Sequence, residues 1–181
     1  MSAAPVLVFG DADLLVPGRL RGLVDACEQR FAVVKPHASE HALSQADSED
    51  FQLGGPQAAS LAPELHERVG LGRGVLAMQR NAFFHVGAWD ERFVGPAGGE
   101  DHAMAIRIER ARMQTRIEPG AAWRLWAAPE EPPDDQALAQ HQQGLLNRLR
   151  ESSDLQLGRM AEVQRQIMGN PEKYRPLESL Q

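Results

Sequence analysis

Two aspartates, Asp11 and Asp13, lie one residue apart directly after the apolar run of residues 6–9. Carboxylate oxygens are the ligands that hard divalent cations such as Mg²⁺ and Mn²⁺ prefer, and these cations share their remaining positions with substrate phosphates and water. Aspartate is also common in turns, so the same pair fits a strand-ending turn that binds nothing. The pair alone leaves both interpretations open.

A second acidic segment follows much later, where Gly98 and Gly99 precede Glu100 and Asp101. A general base must be held close to the proton that it removes, and glycines just before it let a substrate approach the backbone. Apolar residues at helical spacing follow, which places both acids in or just before a first helical turn that favours ionised carboxylates. The segment predicts either a catalytic base or an acidic helix start with no further role.

The elements that position these acids alternate between strands and helices. Apolar runs bounded by turn residues predict strands or extended segments at 5–9, 31–35, 74–78, 114–118 and 121–127. Helical spacing predicts helices after Pro17, over 80–86 and from residue 100 onward. From 37 to 73 the chain is polar and interrupted by glycine and proline, which predicts loops and short helices. The alternation predicts an α/β fold.

The composition changes after Pro129, where an acidic, proline-containing hinge occupies residues 130–135. Residues 136–168 contain no proline, and a set of positions at three- or four-residue steps predicts one apolar edge of a long helix. These positions are Leu146, Leu149, Ser153, Leu157, Met160, Gln164 and Ile167. We therefore predict two regions, 1–128 and 129–181, with a homo-oligomer or a partner subunit bound through the C-terminal helix.

Composition excludes several classes of protein. No stretch of the 181 residues approaches the roughly 20 apolar residues that a membrane span needs. The single cysteine, Cys27, excludes an internal disulfide and a cysteine-rich zinc site. A net charge of −6 with scattered basic residues argues against nucleic-acid binding. The N-terminus lacks the pattern of a secretion signal, so we expect a cytoplasmic protein.

The motifs, in their order along the chain, resemble the later half of GT-A fold glycosyltransferases of family 2 with a galactosyltransferase-type C-terminal region. In that family a strand ends in Asp-x-Asp, and a later strand similar to Gly-Val-apolar-Ala precedes Arg and an aromatic residue. A turn similar to Gly-Phe-Asp-Glu then leads to Gly-Gly-Glu-Asp. The corresponding segments here are VLVFGDADLLVP and GVLAMQRNAFFHVGAWDERFVGPAGGED. The resemblance covers roughly residues 5 to 127.

The resemblance implies a partial GT-A-like (nucleotide-diphospho-sugar transferase) fold, a mixed sheet with flanking helices, plus a C-terminal helical extension. It implies transfer of a sugar from a nucleotide-sugar donor to the hydroxyl of a glycan or other acceptor. Asp13 would hold Mn²⁺ or Mg²⁺ against the donor diphosphate, with Asp11 either assisting it or contacting the ribose. Asp101 would be the base, and Glu100 would bind the acceptor. The other implied substrate-binding residues are Gly74 and Val75 beside the donor sugar, Trp89 at the aromatic position, and Gly99.

Two departures from the family keep an alternative function open. The family carries a further metal-ligand histidine in a segment similar to His-Leu-x-His, whereas residues 123–127 here are WRLWA. In the family a nucleotide-binding region precedes Asp-x-Asp, whereas only ten residues precede Asp11 here. The alternative is a non-catalytic, glycosyltransferase-like subunit that binds a glycan or a protein partner.

Overall fold

The computed structural model describes residues 4–16, 20–52, 65–93, 99–128 and 136–167. The strands in this part of the chain are β1 (Val6–Phe9), β2 (Leu14–Leu15), β3 (Val33–Lys35), β4 (Ser39–Ala42), β5 (Leu65–Arg68), β6 (Leu76–Gln79), β7 (Thr115–Ile117) and β8 (Ala121–Arg124). The helices are α1 (Leu20–Gln29), α2 (Gln45–Gln52), α3 (Arg80–His85), α4 (Glu100–Arg110), α5 (Gln136–Glu151) and α6 (Asp154–Ile167). None of these helices combines the length and the apolar character that crossing a membrane requires.

The strands form two four-stranded sheets of mixed direction. The first has the order β1-β6-β3-β7, with β6 antiparallel to both neighbours and β7 parallel to β3. The second has the order β2-β8-β4-β5, with β8 parallel to β4 and the other pairs antiparallel. The predicted α/β class, with mixed sheets and flanking helices, is therefore confirmed.

Besides the connection from β2 to β3, which contains α1, the chain passes between the two sheets at four places, which we call the sheet crossings. They connect β1 to β2, β3 to β4, β5 to β6 and β7 to β8, at residues 10–13, 36–38, 69–75 and 118–120. Backbone hydrogen bonds join three of them, because the Ala38 amide donates to Gly120 O at 2.9 Å and the Val69 amide donates to Ala38 O at 3.1 Å. The crossings therefore lie side by side.

Helices cover both faces of the first sheet. Side chains of successive strand residues point to opposite faces, so Val33 of β3 packs in one core with α3 and α4, and Val34 packs in another with α1. Leu23 and Cys27, four residues apart on α1, are buried as their helical spacing predicts. Leu20, three residues before Leu23 on the same helix, is exposed. Burial of this apolar area is the main stabilising contribution to the fold.

Strands β4 and β5 correct the prediction of loops and short helices over 37–73. Helix α2 in that region agrees with the prediction, and the two strands contradict it. The sequence of β4, SEHA, has no apolar alternation, so β4 forms because it pairs with β5 on one side and with β8 on the other. Residues 53–64 lie outside the described part of the chain.

The predicted single helix over 136–168 is also wrong, because α5 ends at Glu151 and α6 begins at Asp154. The break is stabilised by a reciprocal cap, in which the Ser153 amide donates to Gln156 Oε1 at 2.7 Å. The Gln156 amide donates in return to Ser153 Oγ at 3.3 Å. This S-x-x-Q pattern is a capping box, a helix-start signal that is readable in the sequence.

The apolar edge of the C-terminal helices packs onto the rest of the chain. Leu146 and Leu149 of α5 are buried in a core with Phe93 and Ala103. Helix α6 approaches the end of α3 so closely that a Cβ at Gly87 would lie 2.7 Å from Ala161 Cα. Much of the edge expected to face a partner is therefore buried within the chain, and oligomerisation stays a prediction. The hinge at 130–135 lies outside the described residues.

Candidate functional site

An open cleft of about 1230 Å³ brings together several of the sequence-predicted residues. Its lining includes Asp11 from the first sheet crossing, residues 69–73 from the third, Arg124 at the end of β8, the first turn of α4 and one face of α5. Asp11 and the Gly99–Asp101 segment therefore line the same cleft, although 88 residues separate Asp11 from Gly99.

The guanidinium of Arg124 donates hydrogen bonds to both aspartates. Its Nη1 lies 2.9 Å from each carboxylate oxygen of Asp13, and its Nη2 lies 2.8 Å from Asp11 Oδ2. Nη2 and Nε also donate to Glu40 Oε2, at 3.0 and 3.3 Å. We call these four residues the Arg124 cluster. Burial acts to lower the pKa of Arg124, but its hydrogen bonds to Asp11, Glu40 and Asp13 outweigh burial and raise it.

Strand register places Arg124 beside the aspartates. Strand β8 lies between β2 and β4, and Arg124 is opposite Leu14 of β2 and Ala42 of β4. The Leu125 amide donates to the carbonyl of Asp13 at 2.8 Å, which ties the strand end to the aspartate loop. The position of the guanidinium is therefore determined by the backbone of the second sheet.

Glu40 is the buried member of the cluster, with 4% of its side chain exposed. Its carboxylate also meets His37 Nε2 at 3.3 Å and Arg73 Nε at 3.5 Å. Burial acts to raise the pKa of Glu40, but hydrogen bonds from His37 and Arg124 and the positive charges of Arg124 and Arg73 lower it to about 2. Glu40 is therefore ionised at neutral pH.

Gly74, predicted beside the donor sugar, lies against this buried pair. A Cβ at Gly74 would lie 2.7 Å from both Glu40 Oε1 and His37 Nε2, and the φ angle of +77° is one that other residues rarely adopt. Glycine at this position therefore permits the packing of Glu40 behind Arg124.

Asp101 occupies the first turn of α4 and lines the same cleft. Burial, followed by the negative charges of Glu100 and Asp11, raises the pKa of Asp101 to about 6. Electrostatic interactions with His102 and Lys35 oppose this rise but do not cancel it. A carboxylate with a pKa near the working pH is well suited to general-base catalysis, since it is ionised and still accepts a proton readily.

Gly99 starts α4 in a left-handed conformation, with φ of 119°. A Cβ there would lie 2.7 Å from Phe93 Cδ1, so glycine lets the helix start pack on this ring. Gly72 has a similar role, because a Cβ there would lie 3.3 Å from His102 Cα. Gly72 therefore lets the third sheet crossing pack closely on the start of α4. Gly98 lies outside the described residues.

Lys35 is a further ionisable residue that the sequence analysis did not single out. Its side chain is fully buried at the end of β3, and its ammonium group donates to the carbonyl of Arg73. Burial lowers the pKa of Lys35 to about 8, while the negative charges of Glu40, Asp101 and Asp11 limit the fall. The lysine supports the crossing that carries Arg73 into the cleft.

Two further predicted substrate-binding residues lie, like Gly74, outside the lining of the cleft. Val75 is buried in a core with Leu14 and Ala122. Trp89 packs edge-on against Phe9, with ring centroids 5.2 Å apart and an interplanar angle of 85°. Neither residue is among those that line the cleft, so their substrate contacts stay predictions.

A second charged cluster lies in the WDER turn that precedes α4. The carboxylate of Asp90 is fully buried and accepts from Arg107 Nη2 at 2.6 Å and from Arg92 Nη2 at 2.7 Å. We call these three residues the Arg107 cluster, in which Asp90 and Arg107 are buried and Arg92 is 45% exposed. Burial acts to raise the pKa of Asp90, but its hydrogen bond with Arg92 and the charges of both arginines lower it. The cluster joins the turn to α4.

The side chains around Asp11 and Asp13 determine whether the predicted divalent cation could bind there. Asp11 and Asp13 offer the oxygen chemistry that Mg²⁺ or Mn²⁺ prefers, but both carboxylates accept hydrogen bonds from Arg124. The described part of the chain contains no group of three or more His, Cys, Asp or Glu residues positioned to hold a metal ion. In this arrangement the residues do not fit a divalent cation, and its presence stays a prediction.

No protein-family model matches the chain, and no curated protein shows significant similarity to it. The resemblance to family 2 glycosyltransferases therefore depends on the motifs alone.

Proposed function

We propose that the protein transfers a sugar from a nucleotide-sugar donor to an acceptor hydroxyl, with Asp101 as the general base and a GT-A-like arrangement of its α/β fold. The observation that carries this proposal is the convergence of Asp11, Glu100 and Asp101 on one open cleft. The pKa of about 6 at Asp101 supports it, because this carboxylate is then ionised at neutral pH but remains a stronger base than an ordinary aspartate.

In the proposed reaction, Glu100 holds the acceptor beside Asp101 at the start of α4. A carboxylate oxygen of Asp101 takes the acceptor's hydroxyl proton while the acceptor oxygen bonds to the anomeric carbon of the sugar. The bond from that carbon to the donor diphosphate breaks, and its electron pair leaves with the nucleoside diphosphate. Arg73, which lines the cleft and is 45% exposed, offers a positive charge on this side.

The test is release of nucleoside diphosphate from a panel of nucleotide sugars in the presence of simple sugar acceptors. We expect Asp101→Asn to lower the rate by about 100-fold or more, because it removes the proton acceptor with little change in shape. Glu28→Gln, at an exposed carboxylate on α1, is the matched control and should leave the rate unchanged. Equal rates for wild type and Asp101→Asn would refute the assignment of Asp101.

A second candidate is a non-catalytic subunit that binds a glycan or a protein partner. The observation that favours it is that Arg124 forms ion pairs with both Asp11 and Asp13, the residues expected to hold the metal. This candidate predicts glycan binding by calorimetry without any release of nucleoside diphosphate, and binding that survives Asp101→Asn. The predicted self-association through the C-terminal helices would rely on apolar side chains of α6 that remain exposed, and light scattering would detect it. These side chains are Leu155, Val163 and Ile167.

A further inference from the structure

We infer that Arg124 is the resident cation of the Asp11–Asp13 loop: its guanidinium takes the place of a divalent ion, so that ligand binding in the cleft does not depend on divalent metal. The replacement of a divalent ion by Arg124 concerns the side chains alone. The metal independence of ligand binding rests on the proposed function, because the ligand there is a nucleoside diphosphate.

The hydrogen-bond geometry supports the inference first. All three nitrogens of the Arg124 guanidinium donate to carboxylates, at distances between 2.8 and 3.3 Å. Such charge-assisted bonds are about twice as strong as neutral ones, and the planar guanidinium matches carboxylate geometry well. A divalent ion that bound Asp11 and Asp13 would have to displace this guanidinium from both carboxylates.

The placement of Arg124 supports it second. Arg124 projects from a strand with partners on both sides, and its own carbonyl accepts from the Leu43 amide at 2.9 Å. Only 24% of its side chain is exposed, unlike that of a surface arginine that samples many conformations. The cation is therefore built into the sheet and present whether or not a ligand binds.

The buried carboxylate of Glu40 supports it third. A buried charge without compensation is costly, and Arg124 is the partner that also reaches the aspartate loop. Arg73 approaches Glu40 from the cleft, so three carboxylates share two guanidinium groups. Removal of Arg124 would leave three carboxylates around a space the size of a guanidinium, which is the type of oxygen site that a hard cation binds.

The test titrates Mn²⁺ alone, followed by the electron paramagnetic resonance signal of free Mn²⁺, into the full chain without nucleotide. We expect no binding to the wild type up to about 1 mM Mn²⁺ and binding at least about tenfold tighter to Arg124→Ala. Adding Asp13→Asn to Arg124→Ala should abolish the gain. Arg116→Ala is the matched control, since it removes an exposed arginine of β7, in the first sheet, that pairs with Glu118, and it should gain nothing.

Circular dichroism and thermal melting establish that each variant folds. If Arg124→Ala does not fold, the wild type decides the question alone, because wild-type binding of Mn²⁺ below about 1 mM would overturn the inference and its absence would support it. Arg124→Lys provides a second variant, since lysine keeps the charge without the planar fork, and it should bind Mn²⁺ more weakly than Arg124→Ala does.

A separate measurement tests whether ligand binding is independent of divalent metal. Uridine and guanosine diphosphate should bind the wild type equally well with Mn²⁺ and with a chelator. Binding that strengthens about tenfold or more with Mn²⁺ would overturn metal independence. If neither nucleotide binds under either condition, the result counts against the proposed function, while the Mn²⁺ titration still decides the role of Arg124.

Discussion

Arg107 and Arg124 are each part of a charged cluster, but the two clusters differ in charge balance and in surroundings. In the Arg107 cluster one fully buried aspartate is shared by two arginines, and the Arg107 side chain is 4% exposed. In the Arg124 cluster three carboxylates surround one arginine, and both aspartates are more than a third exposed. Arg124 and Asp11 line the cleft, whereas no member of the Arg107 cluster does.

The difference separates a structural role from a ligand-facing one. We call the Arg107 cluster closed because Asp90 and Arg107 are both buried, although Arg92 is partly exposed. Its bonds join the turn after Ala88 to α4, so its contribution is to stability. The Arg124 cluster has an excess of negative charge at an open surface, where a ligand or a cation can alter it. Motif similarity alone does not separate the two, because both the WDER turn and the Asp-x-Asp loop belong to the same resemblance.

The largest expected effect breaks the closed cluster. Asp90→Ala should lower the free energy of unfolding by about 3 to 5 kcal/mol, because it leaves Arg107 buried without its carboxylate. Asp13→Ala, which removes a partly exposed carboxylate from the open cluster, should cost only about 1 kcal/mol. Urea unfolding measures both values. Equal losses for the two variants would contradict the division into closed and open clusters.

The next effect tests the packing behind the open cluster. Gly74→Ala should cost about 2 to 3 kcal/mol, because the new Cβ would meet Glu40 and His37 in a strained backbone conformation. Gly144→Ala is the matched control, since Gly144 lies within α5 with no atom within 4 Å of an added Cβ. It should stabilise the chain by about 0.5 to 1 kcal/mol. A Gly74 variant as stable as wild type would show that Glu40 is not held tightly.

A third prediction concerns the pH dependence of stability on the cleft side. Because the pKa of Asp101 is about 6 in the folded chain and 3.8 ordinarily, the folded state holds the proton more tightly. The contribution of Asp101 to stability therefore falls as pH rises from about 4 to about 6, and then stays constant. Asp101→Asn should be more stable than wild type by about 1 to 2 kcal/mol at pH 7.5, after allowance for partial exposure.

Thermal melting at about pH 4 and about pH 7.5 measures this difference, which should be small at the lower pH and full at the higher. A constant difference between wild type and Asp101→Asn across this range would contradict the raised pKa.

The parts of the fold that the sequence predicts are those specified by local apolar pattern. β1, β3 and β6 are apolar runs, and α1 and α4 carry buried residues at helical spacing. β4 was missed because its polar sequence becomes a strand only through its neighbours. The break between α5 and α6 was missed although the S-x-x-Q cap signals it, because the three- and four-residue steps continue across it.

The candidate site likewise contains residues that the sequence predicts and residues that it does not. Asp11 and Asp101 were predicted, since acids after a strand and at a helix start are visible in one sequence. Arg124 and Glu40 were not, because their meeting depends on the register of β8 against β2 and β4, and 84 residues separate the two. The sequence signal for Arg124 was its position in WRLWA, the segment in which the family carries a metal-ligand histidine.

The smallest effect separates the causes of the raised pKa of Asp101. Glu100→Gln removes the neighbouring negative charge and leaves burial, which is the larger cause, so the pKa should fall by only a few tenths of a unit. Glu109→Gln, at an exposed acid further along α4, should leave it unchanged. Carbon NMR of the Asp101 carboxyl measures the pKa directly and requires no substrate. If the pKa of Asp101 fell to its ordinary value in Glu100→Gln, the charge of Glu100 would outweigh burial as the cause of the raised pKa. The open cleft would then owe its basic carboxylate to charge balance rather than to burial.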